Sequence, residues 1–226
     1  MATRDLFAIR IAPIGLTRAA AAIVAALSWT SFLWTFYDYS WGLTNLELGL
    51  VSTSLYYSHA ANLFIAVYFS GVALGRADWA NPKHYGHVLI IISILFAHYW
   101  IFKGSEGFWT SPLRSKFLHG ALGPVLFAFY FLVLPKGKME WKNAAAWTIF
   151  PLVYTFYGMT RGILTGKFPY AISNVDKHGF PLVLTLIATT TLAAWLTGMT
   201  IIALDKALAK GLAERAFLRG DRSSAS

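Results

Sequence analysis

The sequence predicts an all-α fold, specifically a polytopic membrane protein built as a six-transmembrane-helix bundle. Hydrophobic residues make up 57% of the 226 residues and charged residues only 13%, whereas soluble domains carry about 25% charged residues. The mean hydropathy is +0.54, and the apolar residues form continuous runs, which favours helices over the alternating strands of a barrel. Nine Trp, eleven Tyr and seventeen Phe suit a chain with two membrane–water interfaces.

Each apolar run is near the roughly 20 residues that cross a hydrocarbon layer about 30 Å thick. The first run is too long for the core of a signal peptide, so it is interpreted as a helix. Pro112 suits the first turn of the fourth helix, and Pro135 ends that helix. The predicted spans are Ile14–Tyr37, Leu48–Leu74, His84–Phe102, Leu113–Leu134, Asn143–Leu164 and Phe180–Leu204.

Residues 1–204 are predicted to form one transmembrane domain, and residues 205–226 a basic, amphipathic cytoplasmic tail. With the N-terminus inside, thirteen of the nineteen Lys and Arg lie in inner segments and six in outer loops. The positive-inside rule then places both termini in the cytoplasm. Leu208, Leu212 and Ala216 recur at helical spacing, which predicts a tail helix lying on the inner leaflet. A docking site for a partner is the alternative.

Charge and cysteine content exclude several classes of function. The formal net charge of +9 indicates cytoplasmic loops that face anionic lipid. Nucleic-acid binding is not expected, because the positive charges are spread over loops instead of forming one patch. The chain has no cysteine, which excludes disulfides, thiolate nucleophiles and thiolate metal sites. Transport is a third possibility, but the sequence contains no convincing internal repeat or pair of broken helices, which are the features that indicate a transporter.

Polar side chains inside the predicted spans are candidates for function, because hydrocarbon makes them costly. Ser54, Ser58 and Asn62 are spaced four residues apart in the second span and share one helix face. Such a stripe either hydrogen-bonds a neighbouring helix or carries chemistry. His119 lies about two turns into the fourth span and can take a proton from a hydroxyl group or act as a satisfied structural group. Pro124 follows it and loosens the backbone.

Arg161 closes the predicted fifth span, one turn after Tyr157. Its guanidinium suits bidentate binding of a carboxylate or phosphate. Pairing with Asp176, or extension of the side chain to the interface, is the alternative.

The third predicted span carries His87 and His98, which lie eleven residues apart and hence on one helix face. Paired b-type haems use histidines near the two membrane surfaces when another helix supplies axial ligands. His59 and His119 are the other candidates for such ligands inside the predicted spans. The alternative is a pair of interfacial histidines at the two ends of one span.

A recognisable set of residues runs from the fourth span to the sixth: His119, Pro124, Trp147, Phe150, Pro151, Tyr154, Tyr157, Arg161, Gly162, Gly166, Lys167, Phe168, Pro169, Tyr170, Gly179 and Phe180. This set resembles the bacterial six-helix membrane proteins with an RG…G.YPY signature. Those are distantly similar to the androgen-induced and androgen-dependent membrane hydrolases of animals. The latter cleave fatty acid esters of hydroxy fatty acids with an intramembrane threonine and histidine. The resemblance extends from about Ser52 to Leu204 and implies a bacterial inner membrane location.

Carried over by position, the histidine of these hydrolases corresponds to His119. The threonine corresponds to Ser58, because the segment 57–62, Tyr-Ser-His-Ala-Ala-Asn, resembles a Phe-Thr-x-x-Ser-Asn stretch of the bacterial group. The chain departs from the pattern in three places. Serine replaces threonine, Asn174 stands where Asp is usual, and the third span carries histidines that the group lacks.

The resemblance and the polar residues together predict an intramembrane lipid-ester hydrolase or acyltransferase of the serine type. Ser58 would attack the acyl carbonyl, with His119 as general base and then general acid. Asn62 would donate a hydrogen bond to the oxyanion or orient His119. Arg161 and Tyr157 would bind an anionic end of the substrate.

The expected partners are membrane lipids and a lipid-ester substrate, and no metal or cofactor is expected for this activity. The alternative is a non-catalytic membrane subunit, assembled with partner membrane subunits, or a b-type haem-binding module. That module would use His87, His98 or His119 as ligands.

Overall fold

The computed structural model describes residues 13–76, 78–102 and 104–223, and within these ranges helices are the only regular elements. The predicted all-α class is therefore confirmed. Arg4, Arg10 and Lys103, which contribute to the predicted orientation, and residues 224–226 of the predicted tail lie outside the described residues. The helices are α1 (Ile14–Tyr39), α2 (Leu46–Leu55), α3 (Tyr57–Ala73), α4 (Pro82–Phe102), α5 (Gly104–Thr110), α6 (Leu113–Lys116), α7 (Leu122–Val133), α8 (Asn143–Trp147), α9 (Ile149–Thr165), α10 (Val175–His178) and α11 (Phe180–Ser223). A π-helical turn covers Phe117–Ala121 and a 3₁₀ turn covers Ala171–Ser173.

Within the described residues, three helices are long and apolar enough to cross a membrane: α1, α4 over Pro82–Ile101, and α11 over Phe180–Glu214. Leu46–Leu55 and Phe117–Val133 are shorter apolar helices. These shorter helices belong to segments that the sequence predicts as single spans. Leu46–Leu55 falls short because the backbone breaks at Tyr56, which ends this helix.

Two of the predicted spans contain a break in the helix, so the expectation that the chain has no pair of broken helices is wrong. Tyr56 adopts an extended conformation, with φ −103° and ψ 135°, and separates α2 from α3. Thr148 separates α8 from α9, close to Pro151, which has no N–H to offer the carbonyl of Trp147 four residues earlier. By contrast, α11 runs for 44 residues. The helix is thus continuous across the predicted boundary between residues 1–204 and 205–226.

Contacts between the helices define two ends of the assembly. At the histidine end, defined by His59, His98 and His119, α1 and α4 end while α3 begins. At the lysine end, defined by Lys83 and Lys136, α4 begins and α7 ends.

Aromatic rings fill the core between α3, α4 and α7. Tyr85 is fully buried, and its ring centroid lies 5.9 Å from that of Phe69 and 5.6 Å from that of Phe129. The Tyr85 hydroxyl donates to the carbonyl of Leu126 at 2.7 Å. A phenol this deep requires a partner, because an unpaired buried hydroxyl costs about 1–3 kcal/mol. The bond therefore ties α4 to α7.

Trp147 joins the short helix α8 to α4 and α11. A Cβ at Gly86 would lie 2.0 Å from the indole, so only glycine at this position permits the contact. The Trp147 Nε1–H donates to the carbonyl of Lys83 at 2.8 Å. On α11, a Cβ at Gly198 would lie 3.4 Å from the same indole, which is a close contact.

A buried charge network fixes α11 at the lysine end. Asp205 is fully buried; its Oδ1 accepts from the Tyr130 hydroxyl at 2.7 Å and its Oδ2 from the Met139 N–H at 3.0 Å. The Lys136 ammonium donates to the carbonyls of Tyr130 and Leu134 and lies 4.2 Å from the Tyr130 ring centroid. Burial lowers the pKa of Lys136 to about 8, and the Asp205 carboxylate opposes this shift.

Two lysines bind one carboxylate on the surface of the same end. Glu140 forms ion pairs with Lys83 and, at 2.8 Å, with Lys142. Hydrogen bonds from Lys142 and Lys83 lower the pKa of Glu140 to about 2. The pKa of a glutamate in an unfolded chain is about 4.3. The two ion pairs of Glu140 therefore stabilise the fold above that pH and lose their effect as the pH falls towards 2.

We predict that Asp205→Asn destabilises the protein, because an amide has one acceptor oxygen where the carboxylate has two, which leaves the Tyr130 hydroxyl or the Met139 N–H without its acceptor. A buried polar group left without a partner costs about 1–3 kcal/mol. The measurement is the thermal unfolding midpoint of the purified protein in detergent. Glu214→Gln is the control, since Glu214 is exposed on the same helix. Equal midpoints for the two variants would contradict the role assigned to Asp205.

Candidate functional site

The loop after α9 folds back onto the helix that precedes it. Gly166 ends α9 in the left-handed conformation, with φ +70°. The chain then places Phe168 against Gly162, where a Cβ would lie 2.1 Å from the ring, and Pro169 against Gly158, where a Cβ would lie 2.8 Å from Cγ. Gly158 and Gly162 therefore provide the room, and Gly166 the turn, that this fold-back requires.

Tyr170 is the residue that this fold-back delivers to the histidine end. Its hydroxyl accepts the backbone N–H of Tyr57 at 3.2 Å. Its ring centroid lies 4.9 Å from that of His98 and 6.3 Å from that of Tyr56. Burial raises the pKa of Tyr170 to about 12, although the Tyr57 N–H lowers it, so the phenol is protonated at neutral pH. Tyr170 thereby links the loop to the start of α3 and the end of α4.

Ser58 lies in the first turn of α3, directly after the break between α2 and α3. Tyrosines from α9 and its loop hold this break, because the carbonyl of Leu55 accepts the Tyr154 hydroxyl and the N–H of Tyr57 donates to Tyr170. The Ser58 hydroxyl and N–H have no hydrogen-bond partner among the described residues. A helix N-terminus favours negative charge. Ser58 is thus an unengaged hydroxyl where an alkoxide would be stabilised.

His119 lies in the π-helical turn Phe117–Ala121. Pro124 lacks the N–H that the carbonyl of Gly120 would accept in a regular α-helix. Single π-helical turns occur frequently at functional sites, because the local change of register re-aims a side chain. The irregular backbone therefore coincides with the histidine that the sequence singles out.

The imidazole of His119 is oriented by stacking and not by a hydrogen bond at its Nδ1. Its ring centroid lies 4.1 Å from that of Tyr99, at an interplanar angle of 12°. The Tyr99 hydroxyl is itself fixed by the Ser111 hydroxyl at 3.0 Å and the carbonyl of Gly107 at 3.2 Å. The Nδ1 atom of His119 is buried and has no hydrogen-bond partner in the part of the chain that the structure describes. One nitrogen of a positioned ring is therefore available to a ligand.

The structure brings Ser58 and His119 to the same end but does not join them by a hydrogen bond. Asn62 has a different neighbour, since its Nδ2 donates to the carbonyl of Ser28 on α1 at 3.2 Å. The Oδ1 of Asn62 and the hydroxyl of Ser28 are both buried without a partner. Asn62 thus bonds a neighbouring helix, as one of the two interpretations of the stripe requires. The catalytic roles of these residues stay predictions.

Arg161 and Tyr157 lie one turn apart near the end of α9. The Tyr157 hydroxyl donates to the Ser54 hydroxyl at 3.2 Å, and both side chains are exposed. Arg161 forms no ion pair with Asp176 or with any other described residue, and its Nη1 atom is buried without a partner. A buried guanidinium nitrogen in this state is a candidate for binding an anion.

The histidines of α4 lie towards opposite ends of that helix. The His87 Nδ1 is 3.1 Å from the carbonyl oxygen of His84 at the lysine end, whereas His98 contacts Tyr170 at the histidine end. Within the described ranges, no group of three or more His, Asp or Glu side chains is placed to hold a metal ion. Haem binding through His87, His98 or His119 stays a prediction.

His59 belongs to the site, although the sequence interpretation considers it only as a possible haem ligand and gives it no role in ester chemistry. Its Nε2 lies 3.5 Å from the Tyr39 hydroxyl, and its ring centroid lies 5.9 Å from that of Tyr56. The only sequence signal is its position next to Ser58. The contact with Tyr39 joins residues 20 apart on different helices, so it depends on how α1 and α3 pack.

Unpartnered polar atoms distinguish the two ends. Five buried side-chain atoms have no hydrogen-bond partner among the described residues. Two of them, Ser28 Oγ and Asn62 Oδ1, lie between α1 and α3. The other three are Trp100 Nε1, His119 Nδ1 and Arg161 Nη1. Trp100 and His119 lie where α4 ends, and Arg161 lies near the end of α9. Native proteins leave few such atoms, and each requires an explanation. The histidine end is therefore the candidate functional site.

Comparison with known proteins gives no relative to which a function could be referred. No family model matches the chain, and no curated protein or solved structure matches it significantly. The function is consequently inferred from the residues of the histidine end.

We predict that Gly162→Ala disturbs the fold-back, because its Cβ would overlap the Phe168 ring and overpacking of this kind costs about 1–3 kcal/mol. The unfolding midpoint should fall by several degrees, as measured by thermal unfolding in detergent. Gly211→Ala is the control, since a Cβ there meets nothing within 4 Å. If Gly162→Ala and Gly211→Ala unfold at the same temperature, the packing of Phe168 on α9 does not support the loop.

Proposed function

We propose that this chain is an intramembrane lipid-ester hydrolase or acyltransferase that acts at its histidine end through Ser58 and His119. The observation that carries this proposal is the set of unengaged polar atoms gathered there. The Ser58 hydroxyl has no partner among the described residues, and the buried Nδ1 of His119 and Nη1 of Arg161 have none either. A nucleophile, a base and an anion-binding group are the parts that acyl transfer from an anionic lipid requires.

The proposal includes six membrane crossings. Helices α1, α4 and α11 meet the length requirement individually. Three interrupted segments would supply the others, over residues 46–73, 113–133 and 143–165. Each of these covers the roughly 20 residues that a crossing needs. Breaks and π turns are tolerated in a bilayer where neighbouring side chains satisfy the freed backbone groups, as Tyr154 and Tyr170 do on either side of Tyr56.

The lysine end would face the cytoplasm. Lys83, Lys136, Lys138 and Lys142 all belong to segments at that end, and the positive-inside rule places such residues on the cytoplasmic side. Both termini would then be cytoplasmic, and the histidine end would open to the outer side of a bacterial inner membrane. A lipid ester would reach the site from the outer leaflet.

Acyl transfer would proceed in two steps. The Ser58 Oγ attacks the acyl carbonyl while His119 takes the hydroxyl proton, and His119 then gives that proton to the leaving alcohol. An acyl-serine ester remains. Water, or a second alcohol in the transferase reaction, attacks this ester with His119 again as base and releases Ser58.

The oxyanion formed in each step requires hydrogen-bond donors. The Ser58 N–H is unpaired in the first turn of α3, where the helix dipole also favours negative charge. Asn62, the predicted donor, is occupied by the carbonyl of Ser28, so the backbone N–H is the better candidate. Arg161 would bind a carboxylate or phosphate on the same lipid.

The mechanism requires substrate to bring Ser58 and His119 into one reacting geometry. Catalytic hydrogen bonds are often long or unformed before substrate binds. The ring of His119 is held by a stacking contact with Tyr99 and is carried by a π-helical turn. A change in the side-chain torsions of His119 or in this turn would have to direct a ring nitrogen towards Ser58.

We predict that Ser58→Ala abolishes hydrolysis of a fatty acid ester of a hydroxy fatty acid by the purified protein. His119→Asn should lower kcat at least about 100-fold, because general acid–base catalysis contributes at least that much. Arg161→Gln should raise KM for an ester with a free carboxylate and leave KM for its methyl-capped form unchanged. Release of free fatty acid is the measured quantity.

The control for these variants is Ser93→Ala, whose hydroxyl only bonds the carbonyl of Leu89 on α4. It should retain wild-type turnover. Wild-type protein without esterase activity, or Ser58→Ala with full activity, would overturn the proposed mechanism. An Arg161→Gln variant that raises KM equally for both esters would remove Arg161 from substrate binding and leave the Ser58 chemistry intact.

A further inference from the structure

The lysine end contains a cavity that the proposed hydrolase does not use. It has a volume of about 440 Å³, which is within the range of about 300–1,000 Å³ typical of small-molecule sites. It lies between the end of α3 and the start of α4. We call it the aromatic cavity, and its lining residues are Phe64, Val67, Tyr68, Asp78, Trp79, His84 and His87.

One wall of the aromatic cavity is a row of nearly parallel rings. The Phe64 and Tyr68 centroids are 6.3 Å apart at an interplanar angle of 21°, and those of Tyr68 and Trp79 are 5.9 Å apart at 23°. The Tyr68 hydroxyl donates to the carbonyl of Trp79. A Cβ at Gly71 would lie 2.0 Å from the indole. The wall is therefore held in place by packing and by a hydrogen bond, without any ligand.

Asp78 gives the aromatic cavity its fixed charge. The carboxylate of Asp78 forms no ion pair with any described residue. Lys83 lies nearby in sequence, but its ammonium is bound to Glu140 and does not line the cavity. The His87 Nδ1 faces the carbonyl of His84. The lining thus combines an exposed carboxylate, which has no ion pair among the described residues, with three aromatic side chains.

We propose that the aromatic cavity binds an alkylammonium cation, such as a quaternary ammonium or a primary amine. Ring quadrupoles attract organic cations, by about 0.5–2 kcal/mol for each well-placed ring. A carboxylate adds attraction of the same sign and repels anions. The cation is either a free amine or the ammonium head group of a zwitterionic phospholipid, since both present the same chemistry to Asp78 and to Trp79 and Phe64, the outer rings of the row.

The test compares choline with 3,3-dimethylbutan-1-ol, its neutral isostere, by isothermal titration calorimetry on the full chain in detergent. Choline should bind at least about tenfold more tightly than the isostere. Asp78→Asn should weaken choline binding about tenfold and leave the isostere unaffected. Asp176→Asn is the matched control, because Asp176 is an exposed carboxylate of the short helix α10, and it should bind choline as the wild type does.

Two outcomes would overturn the proposal: equal binding of choline and the isostere, or wild-type choline affinity in Asp78→Asn with a wild-type unfolding midpoint. Saturable binding of inorganic phosphate at this site would overturn it as well.

The source of the cation is decided by titrating choline into protein in nanodiscs. Competition by phosphatidylethanolamine discs, but not by phosphatidylglycerol discs, identifies the lipid head group. Equal choline affinity in both discs identifies a free amine. Ester hydrolysis by Asp78→Asn should be unchanged, which separates this site from Ser58.

Discussion

Polar groups buried among apolar helices must find hydrogen-bond partners, and this constraint shapes the two ends of the chain differently. At the lysine end, the carboxylate of Asp205 accepts bonds at both oxygens, and the ammonium of Lys136 donates to two carbonyls. At the histidine end, His119 and Arg161 each keep a buried nitrogen without a partner. A satisfied network specifies one arrangement of helices, whereas an unsatisfied group favours a ligand. We interpret the network around Asp205 as structural and the histidine end as the site of the proposed ester chemistry.

The same constraint explains why irregular backbone is concentrated near the candidate site. The break at Tyr56 frees a carbonyl and an N–H, and two tyrosines from distant parts of the chain satisfy them. Tyr170 is in position because Gly158 and Gly162 leave room for the loop that carries it. The glycines therefore act on Ser58 indirectly, by supporting the break that places this residue in the first turn of α3. A local irregularity is stable here because remote residues support it.

Composition and continuous apolar runs were sufficient to predict the all-α class, since hydrophobic periodicity reports directly on local structure. The proline after His119 indicated a disturbed backbone, and a π-helical turn lies there. The break at Tyr56 could not be predicted, because no proline or glycine marks it and its supporting tyrosines lie 99 and 113 residues away. The hydrogen bond from Asn62 to Ser28 could not be predicted either, since Ser28 is 34 residues away on another helix. Contacts of this kind depend on packing, which a single sequence does not encode locally.

The central claim is that Ser58 at the histidine end is accessible to a lipid substrate, whereas the contacts between the helices are not. Thiol accessibility tests this claim most directly, because the chain contains no cysteine of its own. Ser58→Cys and Ser28→Cys place an isosteric thiol at the candidate site and in the fully buried contact between α1 and α3. In membranes treated with a long-chain alkyl methanethiosulfonate, we expect rapid modification of Ser58→Cys, slowed by a hydroxy fatty acid ester, and negligible modification of Ser28→Cys. Equal rates at the two positions, or no protection by the ester, would contradict the assignment of function to the histidine end.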